Sequence, residues 1–290
     1  MITRPYLLHA LSPLHAGTGQ GLGLIDLPIA RERATEHPIV PGSSIKGVLR
    51  DAARVQTDDV DAIFGSREGS ASMVRVSDAR TLAFPVKSDR GTFAWITSPY
   101  VLMRYARDGG EVGFTADQIP GVADGNAVTA DGSAVLDGSR ITLDGLPYEQ
   151  VPSDDLKHGV KTVVGALAST LFPGDDPTDR AWRSFFSERV VIVSDDAFTW
   201  LTQTATDVRA HVRIDDTTRT VVKGHLWYAE MLPPETILAG IVQVGAIRKD
   251  QDPKRAFELL KSITESPLQV GGDATTGAGR VRFVLGGGAA

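Results

Sequence analysis

The chain contains no cysteine at all. That excludes a disulfide scaffold, a thiol nucleophile, and any thiolate-ligated zinc or iron–sulfur site. Aromatic residues are sparse at 7%. No apolar run approaches the length that spans a bilayer, and the first residues, Met1-Ile2-Thr3-Arg4-Pro5, carry no apolar segment with a small-residue cleavage site. Neither a membrane partner nor a secretory signal is therefore expected, and a cytoplasmic address fits. Positive charge is also in short supply, with a net charge of -6. The deficit is local, however. From Arg107 to Lys157 ten acids stand against three bases, so the remainder of the chain is near neutral. A basic surface for a polyanion is still available outside that stretch.

What is present is enough for a packed domain: 290 residues, 42% of them hydrophobic. Tyr6 to Leu11 reads as a strand. It runs into a Gly-rich loop, His15 to Gly23. Pro41-Gly42-Ser43-Ser44 opens a helix whose apolar face is Ile45, Val48, Leu49 and Ala52, at i, i+3, i+4 and i+7. Strands are expected over 73–86, 93–97, 190–193, 236–244 and 280–285, with a short helix from Ser98 through Tyr105. Asp215 to Thr218 is the turn of a hairpin flanked by 210–214 and 220–228. Pro253 to Ile263 reads as an amphipathic helix. The acidic, Gly- and Asp-rich stretch from about 108 to 155 reads as a surface insertion with short strands. The whole is α+β, one core with long insertions and no tandem repeat.

The helix opening at Pro41 concentrates groups that bind phosphate. Its N-terminal amides carry partial positive charge, Ser43 and Ser44 add hydroxyls, and Lys46 and Arg50 lie one turn apart. A capped helix with a solvated basic face explains the same residues, and the order of glycines and lysine is not that of a P-loop. A second Gly-rich loop, Gly271-Gly272-Asp-Ala-Thr-Thr276-Gly277-Ala-Gly279, either approaches an RNA backbone closely or turns the chain into its last strand. None of the six histidines forms a His-Glu-x-x-His zinc pattern. His15 enters the first Gly-rich loop. Asp26 is the single acid between Met1 and Arg31, set in Leu24-Ile25-Asp26-Leu27-Pro28. It caps a turn or does chemistry. Tyr228 and Glu230, after Leu226-Trp227, are hairpin surface residues or a further hydroxyl and carboxylate.

Taken together these blocks resemble a known family. Tyr6-Leu-Leu-His-Ala-Leu-Ser-Pro-Leu-His-Ala-Gly-Thr-Gly19 resembles the opening of the RAMP superfamily of CRISPR proteins. Leu24 to Ile29, Pro41 to Arg50, Phe84 to Ser88, Ala94 to Pro99, His225 to Glu230 and Leu268 to Gly279 are similar to successive blocks of one branch, the repeated backbone subunit of the type III-B (Cmr) effector complex. The resemblance implies a modified RNA-recognition-motif (ferredoxin-like) core within a single RAMP domain over 1–290. Large insertions, about 13–40 and about 107–180, would interrupt it, and a hairpin thumb would protrude from it. It implies binding of guide CRISPR RNA and target RNA, stacking against further copies of the chain, and contact with the other subunits of the complex. It further implies target-RNA cleavage assisted by Mg²⁺ or another divalent cation. Asp26 falls at the family's catalytic aspartate and possible metal ligand, and His15 lies in the neighbouring block; Tyr228 and Glu230 are additional candidates. Gly17, Gly19, Ser43, Ser44, Lys46, Arg50, Gly271, Gly272, Thr276, Gly277 and Gly279 are the expected RNA contacts. Two rivals share the fold: a structural RNA-binding subunit without cleavage, and a RAMP endoribonuclease that processes precursor guide RNA.

Overall fold

The computed structural model describes every residue except 20, 22, 23, 67, 68, 111, 152, 153, 250 and 287–290, and the backbone alone of 154, 155 and 157. The chain opens with β1 (Ile2–Ala10), β2 (Ile39–Val40), α1 (Gly42–Ala53), α2 (Val60–Phe64), β3 (Val74–Val76) and β4 (Ala79–Lys87). It continues through β5 (Phe93–Thr97), α3 (Pro99–Gly109), β6 (Asn126–Thr129), β7 (Arg140–Leu143) and β8 (Leu146–Gln150). Next come α4 (Asp154–Leu171), α5 (Pro177–Ser187), β9 (Val190–Val193), α6 (Asp195–Thr204), β10 (Asp207–Ile214) and β11 (Val221–Met231). It closes with β12 (Ile237–Val244), α7 (Pro253–Thr264), β13 (Leu268–Gln269) and β14 (Arg280–Leu285).

The ferredoxin-like core is visible in the pairing. β1, α1, β4, β12, α7 and β14 follow one another as β-α-β-β-α-β, and the sheet runs β14-β1-β12-β4 with every neighbour antiparallel. Every residue of β1 from Pro5 to Ala10 is buried, the pattern of a strand covered on both faces rather than one. α7 packs on β1, β12 and β14, while α3 packs on β1, β4 and β12. On α1, Ile45 and Leu49 are buried, with Val48 and Ala52 half-buried beside them, so the apolar stripe read from the sequence is the packing face.

The expected single strand over 73–86 is broken in two. Ser77 and Asp78 leave the ladder, and Asp78 turns its carboxylate to the first amide of α1. The second part, β4, is long enough to serve two partners. Its start pairs with β12 and its end, Phe84 to Lys87, pairs with β5. From there the sheet extends through β9, β6, β8 and β7. The acidic stretch is thus less peripheral than its composition suggests. Ala127, Val128, Ile141 and Leu143 are fully buried in strands of that sheet. A tight turn joins β7 to β8 at Asp144-Gly145, both with positive φ, the geometry of a two-residue hairpin loop. The expected helix from Ser98 is capped by Ser98 and continues to Gly109, two turns of it held by Val101, Leu102 and Tyr105 in the core.

β10 and β11 form a separate two-stranded ribbon. Both its faces are largely exposed, including the apolar residues Val208, Val212, Ile214, Val221 and Leu226. A lone ribbon of this kind is marginal in water, and its base is secured by the loop described next. No helix among the described residues is long and apolar enough to cross a membrane.

Candidate functional site

Leu27 and its neighbours lie beside β11 as an added short strand. Leu27 forms a parallel bridge with Ala229. Its N–H donates to Tyr228 O at 3.0 Å, and Glu230 N–H donates to Leu27 O at 2.9 Å. Pro28 keeps the residue before it extended, which suits this pairing. Leu27 then packs with Ala229, Met231 and Ala278. Asp26, one residue earlier, is exposed, and its Oδ2 accepts from Tyr228 N–H at 2.8 Å. An open groove of about 410 Å³ lies here, bordered by Gly21, Asp26, Leu27 and Trp227.

His15 is half-buried further along the same edge of β11. Leu14 and Leu232 exchange both backbone hydrogen bonds at 2.9 Å, which carries His15 to the end of β11. Its Nδ1 lies 2.7 Å from Glu230 O. A carbonyl can only accept, so Nδ1 bears the proton and Nε2 is the basic nitrogen of the neutral ring. The two Gly-rich loops, some 250 residues apart in sequence, meet at this histidine. Gly272 N–H donates to His15 O at 2.9 Å. A Cβ on Gly17 would stand 2.5 Å from His15 Nε2, and one on Gly271 would stand 2.2 Å from His15 O. Both glycines are present because the histidine occupies the space. Gly19 is exposed, with φ at +98°.

Glu230 is 4% exposed and fully engaged. Its Oε2 accepts from Ile29 N–H at 3.1 Å; its Oε1 accepts from Arg31 Nη2 at 2.5 Å and from Thr206 Oγ1 at 2.9 Å. This is the geometry of a strut joining the first loop, the turn between α6 and β10, and β11. Tyr228 is 39% exposed, its ring on the ribbon and its backbone N–H on Asp26. Arg31 and Thr206 were not singled out in the sequence; nothing in their spacing marks them as partners of an acid 199 and 24 residues away.

The start of α1 opens into a different groove, about 480 Å³, lined by Gly42, Ser43, Lys46, Arg75 and Ile247 among others. Ser43 and Ser44 are exposed and neither hydroxyl caps the helix. Asp78 Oδ1 takes the Gly42 amide at 2.8 Å, so one of the four free amides is already satisfied by an acid. Arg50 is not free either: its Nη2 pairs with Asp61. Partial burial, and then the charge of Arg50, lower the Lys46 pKa from the usual lysine value. Lys46 and Arg75 are the cations left on this groove.

In the C-terminal loop Gly271 and Gly272 face His15, while Gly277 is exposed with open space around it. Thr276 Oγ1 donates to Asp273 O at 2.9 Å, closing the short 3-10 turn. Gly279 is buried and donates its N–H to Pro13 O at 2.7 Å. Among the described residues no three metal-ligating side chains converge. Asp26 is a carboxylate open to solvent at the ribbon base, and by itself it suits Mg²⁺ only as a shared ligand with substrate phosphates.

Residues 7–282 match the RAMP superfamily. The chain belongs to the RAMP superfamily. This RAMP protein is 33% identical over 293 residues to the CRISPR system Cmr endoribonuclease Cmr4 of Pyrococcus furiosus, across 96% of this chain and 94% of the relative. Its fold is similar to that in the crystal structure of oligomeric Cmr4 from Pyrococcus furiosus, with a TM-score of 0.75, 26% identity and 98% of each chain covered. A chain in the cryo-EM structure of the type III-B Cmr-beta bound to cognate target RNA shares the RAMP fold, with a TM-score of 0.74, 19% identity, and 98% and 97% of the two chains covered.

Proposed function

We propose that this RAMP protein is a guide-RNA-binding backbone subunit of a type III-B CRISPR complex, and that it cuts the target RNA paired with the guide. Full-length similarity to a Cmr endoribonuclease supports the reading. The observation that carries the catalytic part is the exposed Asp26 carboxylate pinned by Tyr228 at the foot of a projecting ribbon. Sequence specificity need not come from the protein, because base pairing to a guide supplies it. The chain then needs only backbone contacts. The Lys46 and Arg75 groove with Ser43, the exposed Ser44 beside it in sequence, and the exposed glycines 19, 272 and 277 are of that kind.

Cleavage by the ribose 2′-oxygen on its own phosphate breaks the bond to the 5′-oxygen and leaves a cyclic phosphate; the departing 5′-oxygen takes a proton from water and becomes a 5′-hydroxyl. Asp26 would take the 2′-OH proton or hold a divalent cation together with the phosphate; its exposure beside an open groove supports that reading. Such a cation would stabilise charge on the phosphoryl oxygens. His15, whose Nδ1 is held by Glu230 O on the same strand edge, leaves Nε2 as a second candidate base. Further copies of the chain and the other subunits of the complex are the expected protein partners; the two-sided apolar exposure of the ribbon suits burial in such an assembly. The deciding experiment is to purify the protein with its native partners, sequence the RNA that co-purifies, and offer a labelled complementary RNA. Guide-length CRISPR RNA and regularly spaced cuts are expected. Cleavage of precursor repeat RNA by the isolated chain would favour the processing-enzyme rival instead.

A further inference from the structure

Trp227 borders the same groove as Asp26. It lies on β11 directly across from His211 of β10. The two rings are stacked, with centroids 5.6 Å apart and planes within 12°. The imidazole therefore braces the indole. Trp227 itself is only half-buried. His211 Nε2 is buried without a hydrogen-bond partner among the described residues, so the imidazole serves the indole as a packing surface. The groove's volume, about 410 Å³, lies within the roughly 300–1,000 Å³ of small-ligand sites. Its walls are an aromatic ring, the apolar Leu27, the bare backbone of Gly21 and one carboxylate.

From this we infer that Trp227 is a stacking platform for one unpaired nucleobase of the RNA being cut. The inference rests on the reading of the chain as a target-cutting subunit. A single-stranded base presents a flat apolar face and a polar edge. The indole takes the face, as aromatic side chains do for unstacked bases of any sequence. The attached ribose then comes to rest next to Asp26, the one acid on the groove. Trp227 is a positioning residue in this scheme. It holds the nucleotide still so that the 2′-oxygen and phosphate keep their alignment, a requirement to which rate is sensitive. Ordinary packing of a hairpin tryptophan accounts for the contact with His211. It does not account for an indole left open to a groove beside an exposed acid.

The test uses the assembled complex and target RNA carrying 2-aminopurine at the nucleotide flanking the cut, examined in turn on each side. Stacking on Trp227 should quench its fluorescence on binding. Trp227→Leu should restore the signal and slow single-turnover cutting roughly fivefold to a hundredfold, the worth of one aromatic stack. Trp227→Phe should recover most of the rate, which a loss of fold would not allow. Asp26→Asn should abolish cutting while leaving the quench. Unchanged cutting by the Leu variant, or no quench on either side of the cut, would overturn the platform. A wild-type complex that quenches but never cuts would overturn the cleavage reading and leave the platform standing.

Discussion

Asp26 Oδ2 accepts a hydrogen bond from the backbone N–H of Tyr228 at 2.8 Å, across 202 residues of sequence. The acid at the exit of the first Gly-rich loop is thereby fixed to the foot of the β10–β11 ribbon. Structure and chemistry overlap in this one contact. A carboxylate that only anchored the loop would need no charge, since an amide oxygen accepts the same N–H.

That overlap defines the first prediction. Asp26→Asn keeps an oxygen for the Tyr228 N–H and loses the charge. Target cutting should fall by roughly a hundredfold to ten-thousandfold, the usual worth of a positioned acid–base group. Thermal unfolding and guide binding should stay close to wild type. The measurement is single-turnover cleavage of a labelled complementary RNA, with added Mg²⁺ and with chelator. Undiminished cutting would remove Asp26 from the chemistry and leave it as a loop anchor.

Glu230 should behave in the opposite way. Arg31 is its charged partner, with 16% of the arginine side chain and 5% of the glutamate side chain exposed. Removing one member of a pair this enclosed strands the other, at a cost of about 3 kcal/mol. Glu230→Ala should therefore lower stability, read as a shifted urea midpoint with an unchanged slope. Cutting per folded complex should change little. Glu230→Gln should recover part of the loss, because its one amide oxygen can still accept from Ile29 N–H while its NH2 donates to the Thr206 hydroxyl, which can accept as well as donate. Loss of cutting by the Gln variant without loss of stability would restore Glu230 as a chemical participant.

Much of this arrangement was legible in the sequence because it is local. The α1 stripe of Ile45 and Leu49, the strand at Phe93–Thr97 and the turn at Asp215–Thr218 each follow from spacing within a dozen residues. The Asp144-Gly145 turn carried an equally local signal, the strongest two-residue hairpin pair. Its acidic surroundings read as a surface insertion with short strands; the short strands are present, but Ala127, Val128, Ile141 and Leu143 within them are buried. The convergence of the two Gly-rich loops on His15 was not legible from spacing, since it depends on Leu14 pairing with Leu232 and Pro13 with Gly279. The family resemblance placed Asp26, but not its contact with Tyr228. Nor could sequence show that Asp61 and Asp78 occupy part of the α1 basic cluster, because both reach it only after the chain folds back.

Two glycines of the C-terminal loop should respond differently to the same change. Gly271 and Gly277 both have positive φ, +79° and +88°. An alanine at 277 meets nothing within 4 Å, so it bears only the left-handed strain of about 1–2 kcal/mol. An alanine at 271 would also stand 2.2 Å from His15 O. Its cost should reach about 3 kcal/mol or more. Because the clash falls on His15, Gly271→Ala should also reduce cutting in whatever fraction remains folded. Equal denaturant midpoints for the two variants would show that the loop yields at His15 without penalty.

Lys46 and Arg50 sit one turn apart on α1, but the structure separates their roles. Arg50 is committed to Asp61, and its guanidinium is a bridge between α1 and α2. Lys46 has no such acidic partner among the described residues; it lines the groove with Ser43 and Arg75, half-buried and with a pKa lowered by that burial. A lysine in this state gains most from a phosphate, which stabilises its charged form. Lys46→Ala should therefore weaken guide RNA binding by a similar factor for every sequence, and flatten the dependence of log affinity on log salt by about 0.7, one phosphate contact to a single strand. Arg75→Ala should do the same, and the double variant should lose about twice that slope. Arg50→Ala should act mainly on stability, with a smaller change in slope. Binding isotherms at several salt concentrations, alongside thermal melts, separate the two effects. A slope that drops for Arg50→Ala and holds for Lys46→Ala would mean that RNA breaks the Arg50–Asp61 pair on arrival and takes the arginine for itself.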